Sequence, residues 1–409
     1  MITGLRMAIG VWLLLSGLSW AAVRLGSDTL ADSGFAVLRG KRVGLITNPS
    51  GVNCQQQSTL EVLRRARGVK LVAVFGAEHG LYGTAKAGEE VKDSLDARIG
   101  LPVYSLYGPG PVRKPTPAML KNLDVLVYDI QDTGCRSYTY ISTMGLAMEA
   151  CAEAGIEFVV LDRPNPLGGE RVEGPMLDSR FRSFVGQWAI PYVYGLTCGE
   201  LARMINGEGW IRQPCKLTVV RMKEWRRDMA WQHTGLKWIP TSPHIPRGES
   251  PLHYVSTGLL GTIGGVNIGM SFGLPFQCVT APWLDDHRLA GQLERYRLRG
   301  VTFRPLRVPG NNVIQKGVLL SFSDPVHAPL MALNFYLLEA VQATTGRNLF
   351  AEAVKAGKSF DLFDKVNGTD QTRRALEANL TAENITRLWQ ANGEAFKKRR
   401  QKYLLYPNP

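Results

Sequence analysis

Between Arg42 and Gly169 one pattern recurs four times: a short apolar run, rich in Val, Ile and Leu, stops on acidic or amide residues mixed with Gly or Pro. The runs are RVGLITNPSG, KLVAVFGAEHG, DVLVYDIQDTG and IEFVVLDRPNPLGG. Their polar ends carry Asn48, Glu78-His79, Asp129 to Asp132, and Asp162 to Asn165. STLEVLRRARG and YISTMGLAMEACAEAG lie between them, with apolar residues at helical spacing and a closing glycine. Continuous apolar strands alternating with helices predict a mostly parallel sheet covered on both faces, a Rossmann-like α/β fold. In open parallel sheets ligands bind outside the carboxyl ends of the strands, so the four polar ends predict one shared crevice. Taken singly, each end is ordinary turn chemistry, because Asn, Asp and Gly suit turns.

The character of the sequence changes further on. GLTCGELARMINGEGW reads as a capped helix and KLTVVRM as a strand. The Pro-rich WIPTSPHIPRGESPLHY then reads as irregular, a boundary or active-site loop, and the glycine-rich GLLGTIGGVNIGMSFG follows it. Helix and strand patterns resume from Trp283. The expected organisation is a Rossmann-like catalytic domain over 28–245 and a smaller α+β domain over 246–409. Ahead of both, Arg6 precedes MAIGVWLLLSGLSW, an apolar stretch of signal length, and Ser19 to Ala22 supplies small residues. Residues 1–22 are therefore read as a signal peptide and the protein as exported, periplasmic or extracellular. An uncleaved anchor is the alternative, and the only membrane contact expected. The formal charge of +13 favours anionic partners. The basic residues are scattered except for Lys397-Lys398-Arg399-Arg400, which falls in a helical pattern and reads as a solvated helix face. No nucleic-acid motif accompanies it, so no nucleic-acid partner is expected. Six cysteines without a C-x-x-C pair read as inert thiols, although an oxidising compartment would allow pairing.

Glycosidic cleavage generally needs two carboxyl groups, one protonating the leaving oxygen and one assisting water or attacking directly. Glu78 is the expected acid, with Asp129 or Asp132 as partner. His79 is placed to orient a carboxylate or touch substrate, or to make a structural hydrogen bond. Glu78, His79, Asp129, Asp132 and His244 also offer donors for a divalent ion. The chain has no H-E-x-x-H, no H-x-H and no aspartate-rich loop, so neither metal nor cofactor is expected. Gly269 to Gly273 matches G-x-S-x-G without the strand-turn-helix context that gives the motif its meaning. No G-x-G-x-x-G or Walker loop points to a nucleotide. Tyr138, Tyr140, Trp188, Tyr192 and Tyr194 could stack on a sugar, although aromatics of this kind are more often core or interface.

Several ordered motifs together, ITNPSG, FGAEHGLYG, VYDIQDTGCRSYTYISTM, LDRPNPLGG with VEGP, YGLTCGELA and WQANGEAFKKRRQKYLLY, resemble the NamZ family of exo-β-N-acetylmuramidases from about Arg42 to Tyr406. The resemblance implies a Rossmann-like catalytic domain, a smaller C-terminal domain and a cleft between them. It implies release of terminal N-acetylmuramic acid from the non-reducing end of peptidoglycan fragments. The glutamate of the family's E-H-G motif falls on Glu78, and its D-x-Q-D aspartates fall on Asp129 and Asp132. Expected substrate contacts are Asn48, His79, Arg136, Tyr138, Arg163, Asn165, His244 and Glu249. One stretch departs from the family. Where S-P-N-M-P-T-L-E is usual the chain has Ser242 to Glu249, and two glutamates and an arginine are replaced at Gly261 or Thr262, Ile268 and Met270. That departure leaves room for an altered or purely sugar-binding paralogue.

Overall fold

The computed structural model describes residues 22–86, 88–108, 113–310 and 313–408. The expected signal peptide, apart from Ala22, lies outside them. The first half of the chain runs α1 (Gly26–Asp32), β1 (Arg42–Thr47), α2 (Thr59–Arg65), β2 (Lys70–Gly76), β3 (Ser94–Asp96), β4 (Leu101–Ser105), α3 (Pro117–Leu120), β5 (Val125–Asp129), α4 (Tyr140–Ala154), β6 (Glu157–Leu161), β7 (Glu173–Met176), β8 (Pro191–Val193), α5 (Cys198–Gly207) and β9 (Leu217–Val220). Seven strands form one sheet in the order β3-β4-β2-β1-β5-β6-β9. All its pairings are parallel except that of β3 with β4. Both faces are apolar because neighbouring residues of a strand point to opposite sides. Val43, Leu45, Val74, Val127, Val159 and Leu161 pack in one layer, and Ile46, Phe75, Leu126, Tyr128, Phe158 and Val160 in the other. The Rossmann-like expectation is met. Strand order reverses about β1, which lies between β2 and β5, and that reversal opens the crevice.

The second half runs α6 (Ser250–Ile263), β10 (Cys278–Ala281), α7 (Asp286–Arg295), β11 (Val301–Pro309), β12 (Ile314–Phe322), α8 (Leu330–Thr345), α9 (Leu349–Lys355), α10 (Asp361–Asn367), α11 (Gln371–Glu377) and α12 (Ala382–Arg400). Its strands form a small antiparallel sheet, β10-β12-β11. Residues 250–263 are helical, which corrects the irregular reading over 250–254. Pro251 stands in the first turn, where its missing N–H costs nothing, and the apolar residues Leu252, Val255, Leu259 and Leu260 are buried.

The basic run near the C-terminus lies on α12 with Lys398 and Arg399 exposed, as read, and only Arg400 departs from that reading. Arg399 pairs with Glu208, and Arg400 is buried, donating to the carbonyls of Tyr194, Gly195 and Glu170. The tail then returns to the first sheet. Leu405 N–H donates to Glu200, and the Tyr406 hydroxyl donates to Asp162 at 2.5 Å. Burial pushes the Asp162 carboxyl up to about 6, against hydrogen bonds from Tyr406, Gly199 and Thr197 that pull the other way. A carboxyl with a higher pKa in the folded than in the unfolded state favours folding below about pH 4, and that contribution is lost as pH rises through 6. Asp162→Asn cannot titrate. Urea denaturation at pH 4 and pH 7 is therefore expected to show wild type losing about 2 kcal/mol relative to this variant over the interval. A stability gap independent of pH would contradict the assignment.

Candidate active site

The crevice is built outward from the end of β2. After Gly76 and Ala77 the chain turns sharply, with His79 at φ +71° and Gly80 at φ +74°. A left-handed histidine is uncommon, and here the loop it starts holds it in place. The His79 ring nitrogen Nδ1 lies 2.8 Å from the carbonyl of Ala85, and the Ala85 N–H donates back to the His79 carbonyl. His79 is buried in this loop closure, the structural alternative of the sequence reading. The turn leaves Glu78 half-buried at the strand end. Its Oε2 accepts from the Thr139 hydroxyl at 2.6 Å, and its Oε1 accepts from the Gly88 N–H at 3.1 Å. Thr139 immediately precedes α4, so the carboxylate is held where a helix begins.

Aromatic residues wall this space. Tyr107 stands beside Glu78, and burial together with the Glu78 charge pushes its phenol up. Phe184 lies 5.8 Å from the Tyr107 ring, centroid to centroid. Tyr138 meets Tyr140 edge-on at 4.8 Å and Tyr254 of α6 at 6.0 Å. The Tyr254 hydroxyl is 3.0 Å from Ser137 Oγ, so α6 of the second half reaches the loop after β5.

The other three strand ends meet the same edge but are closed. Segment 241–242 plugs the end of β1: Asn48 and the Tyr140 hydroxyl both donate to the Thr241 carbonyl, and the Tyr138 hydroxyl bonds Thr241 Oγ1. Asn48 also accepts from Ser50 and donates to Tyr140. Asp129 is wholly buried and forms a 2.5 Å ion pair with Arg163, whose other contact is the Val52 carbonyl. Asp132 is buried under Tyr194 and the Gly134 N–H, with Oδ1 unpartnered, and burial pushes it up to about 6. Asn165 bonds the Leu196 carbonyl and the Leu167 N–H.

The expectations for these residues change accordingly. Asp129, closed off and neutralised by Arg163, is not placed to attack or to activate water, and Asp132 is also shielded. Asn48, Arg163 and Asn165 are occupied in holding the strand ends together. Arg136 is fully buried and donates to the carbonyls of Pro175, Ile190, Val366 and Asn367, the last two at the end of α10. It ties the two halves together and does not face the crevice. Trp188, Tyr192 and Tyr194 are core residues. His244 is exposed on the segment following the plug. Glu249 is exposed, pairs with Arg247, and borders a separate cavity of about 760 Å³ lined by Trp231, His253, Gln277 and Arg304.

Sequence reading missed two neighbours of Glu78. Thr139 directly precedes YISTMGLAMEACAEAG, where a threonine before a helical pattern is a capping signal. Tyr107 stands near the end of a fifth apolar run, LPVYSLYG, which carries no acidic or amide end. Among the described residues no three His, Cys, Asp or Glu side chains gather as metal ligands would, and all six cysteines are free. The G-x-S-x-G match is a short 3-10 turn on a surface loop, with Ser271 bonded to Asn267. Of the departing positions, Gly261 and Ile268 face each other, since a Cβ on Gly261 would lie 3.0 Å from Ile268 Cδ1.

Residues 43–249 match the family model described as exo-beta-N-acetylmuramidase NamZ, N-terminal, and residues 252–406 match its C-terminal counterpart. The peptidoglycan beta-N-acetylmuramidase NamZ of Bacillus subtilis (strain 168) is 41% identical over 391 residues, 94% of this chain and 91% of that protein. A crystal structure of a DUF1343 family protein from Bacteroides fragilis is similar at a TM-score of 0.87 and 44% identity, covering 94% of this chain and 99% of that one. A second from the same organism gives 0.76 at 30% identity, covering 95% and 100%.

Proposed function

The chain belongs to the NamZ exo-beta-N-acetylmuramidase family and is a glycoside hydrolase of that type, and from this premise we propose that it releases terminal N-acetylmuramic acid from the non-reducing end of peptidoglycan fragments. What carries the reading is Glu78. It is the one motif carboxylate held half-open at the crevice, gripped on both oxygens by Thr139 and Gly88. In its protonated form Glu78 gives its proton to the glycosidic oxygen as the bond to the sugar C1 breaks. Water then adds its oxygen to C1 and returns a proton to the carboxylate. Thr139 and Gly88 fix the direction of that transfer, and the walls of Tyr107, Tyr138 and Tyr254 suit the apolar faces of a sugar ring. Asp129 and Asp132 support the strand ends behind the site. The apolar N-terminal stretch supports an exported protein, which is where such a substrate lies.

The test is a chromogenic β-glycoside of N-acetylmuramic acid alongside long glycan strands. Wild type is expected to release chromophore, and from strands to liberate single terminal residues. No chromophore, or internal cleavage of strands, would reject the proposal.

A further inference from the structure

N-Acetylmuramic acid differs from N-acetylglucosamine by a lactyl ether that ends in a carboxylate. A site selective for it needs a fixed cation near the scissile bond, and the arginines expected to contact substrate do not serve. Arg163 is neutralised by Asp129, and Arg136 is buried among carbonyls. Lys86 and Lys92, near Glu78 in sequence, are exposed and strongly hydrated.

Arg113 is different. Its guanidinium lies 3.9 Å from the centroid of the Tyr107 ring and 6.0 Å from that of Phe184, so the two aromatic residues flank it. It donates through Nη1 to the Gly108 carbonyl, which fixes its orientation. It is half-buried and, among the described residues, has no carboxylate partner. Tyr107 touches the Glu78 environment on one side and Arg113 on the other. Phe184 in turn is tied to α4, its carbonyl accepting from Ser142 at 2.7 Å. A planar guanidinium held over an aromatic ring by a hydrogen bond at one nitrogen keeps its remaining N–H groups in a rigid fork, the geometry that takes a carboxylate with two parallel hydrogen bonds.

We infer that Arg113, held over Tyr107 beside Glu78, is the residue that reads the lactyl carboxylate and sets the preference for muramic over glucosamine-type sugars. This rests on the proposed function and names the substrate group that its site recognises.

The test compares chromogenic β-glycosides of N-acetylmuramic acid and of its lactyl methyl ester, which keeps the shape and removes the charge. Wild type is expected to favour the free acid in kcat/KM by about 100-fold, the scale of a lost hydrogen bond to a charged group. Arg113→Met should collapse that ratio toward one by lowering the rate on the acid far more than on the ester, and Arg113→Lys should fall between. An unchanged ratio, or an equal loss on both substrates, overturns the inference. Calorimetric binding of free N-acetylmuramic acid against N-acetylglucosamine separates the two readings. Charge-selective binding that Arg113→Met abolishes, without turnover, would sustain Arg113 and reject the hydrolytic proposal. Wild-type binding without charge preference would reject Arg113.

Discussion

Glu78→Gln is expected to lose about 10³-fold in kcat on a muramyl disaccharide while melting close to wild type, within the range by which positioned acids accelerate proton transfer. The fold should be spared because glutamine keeps the shape. Its carbonyl oxygen can accept from the Gly88 N–H, and its amide can donate to the Thr139 hydroxyl oxygen. What disappears is the transferable proton. A nitrophenyl leaving group needs little protonation, so the loss on a nitrophenyl glycoside should be clearly smaller than on the disaccharide. Rates on both substrates, with a thermal melt of each protein, decide the matter. Activity on the disaccharide within tenfold of wild type would remove Glu78 from the acid role.

Arg163→Met is expected to lower stability by about 3–5 kcal/mol, the usual cost of leaving one member of a buried ion pair alone. Asp129 has no access to solvent, and its Oδ2 has no partner. Without the guanidinium it must either keep an uncompensated charge or take up a proton. The double variant Asp129→Asn with Arg163→Met should recover a large part of that loss, because a neutral amide replaces the stranded charge. Urea denaturation of the two variants and wild type measures this, and a single-variant loss under 1 kcal/mol would show that the pair is not sealed. Asp129→Asn alone should still turn over at temperatures where it stays folded. An inactive but well-folded Asp129→Asn would return that carboxylate to the chemistry.

Much of the architecture was legible because the apolar runs of β1, β2, β5 and β6 are buried on both sides, so hydrophobicity alone marked them. The convergence of their ends followed from topology. What each polar residue does there was not legible, because composition does not distinguish a side chain that faces a crevice from one that plugs it. Asn48, Asp129 and Asn165 have the same residue types as a binding site, yet their partners, Thr241, Arg163 and Leu196, lie 193, 34 and 31 residues away in the chain. Glu78 was readable because a motif and a strand end coincided. Arg113 and Tyr107 were not, since their meaning lies in the contact of a guanidinium with a ring. The glycines at 258 and 261 disguised α6, whose helix is sustained by tertiary burial against propensity.

The bond from Tyr406 to Asp162 has a consequence for how the protein is made. It spans 244 residues, so at ordinary elongation rates roughly 10–50 s pass between synthesis of the strand end and synthesis of its cap. Through that interval the nascent sheet lacks the tyrosine that covers its buried acid, and the Asp162 carboxylate remains free to keep its water. The end of β6 is thus completed by a residue translated 244 positions later. Full consolidation of the catalytic half therefore awaits the arrival of the tail.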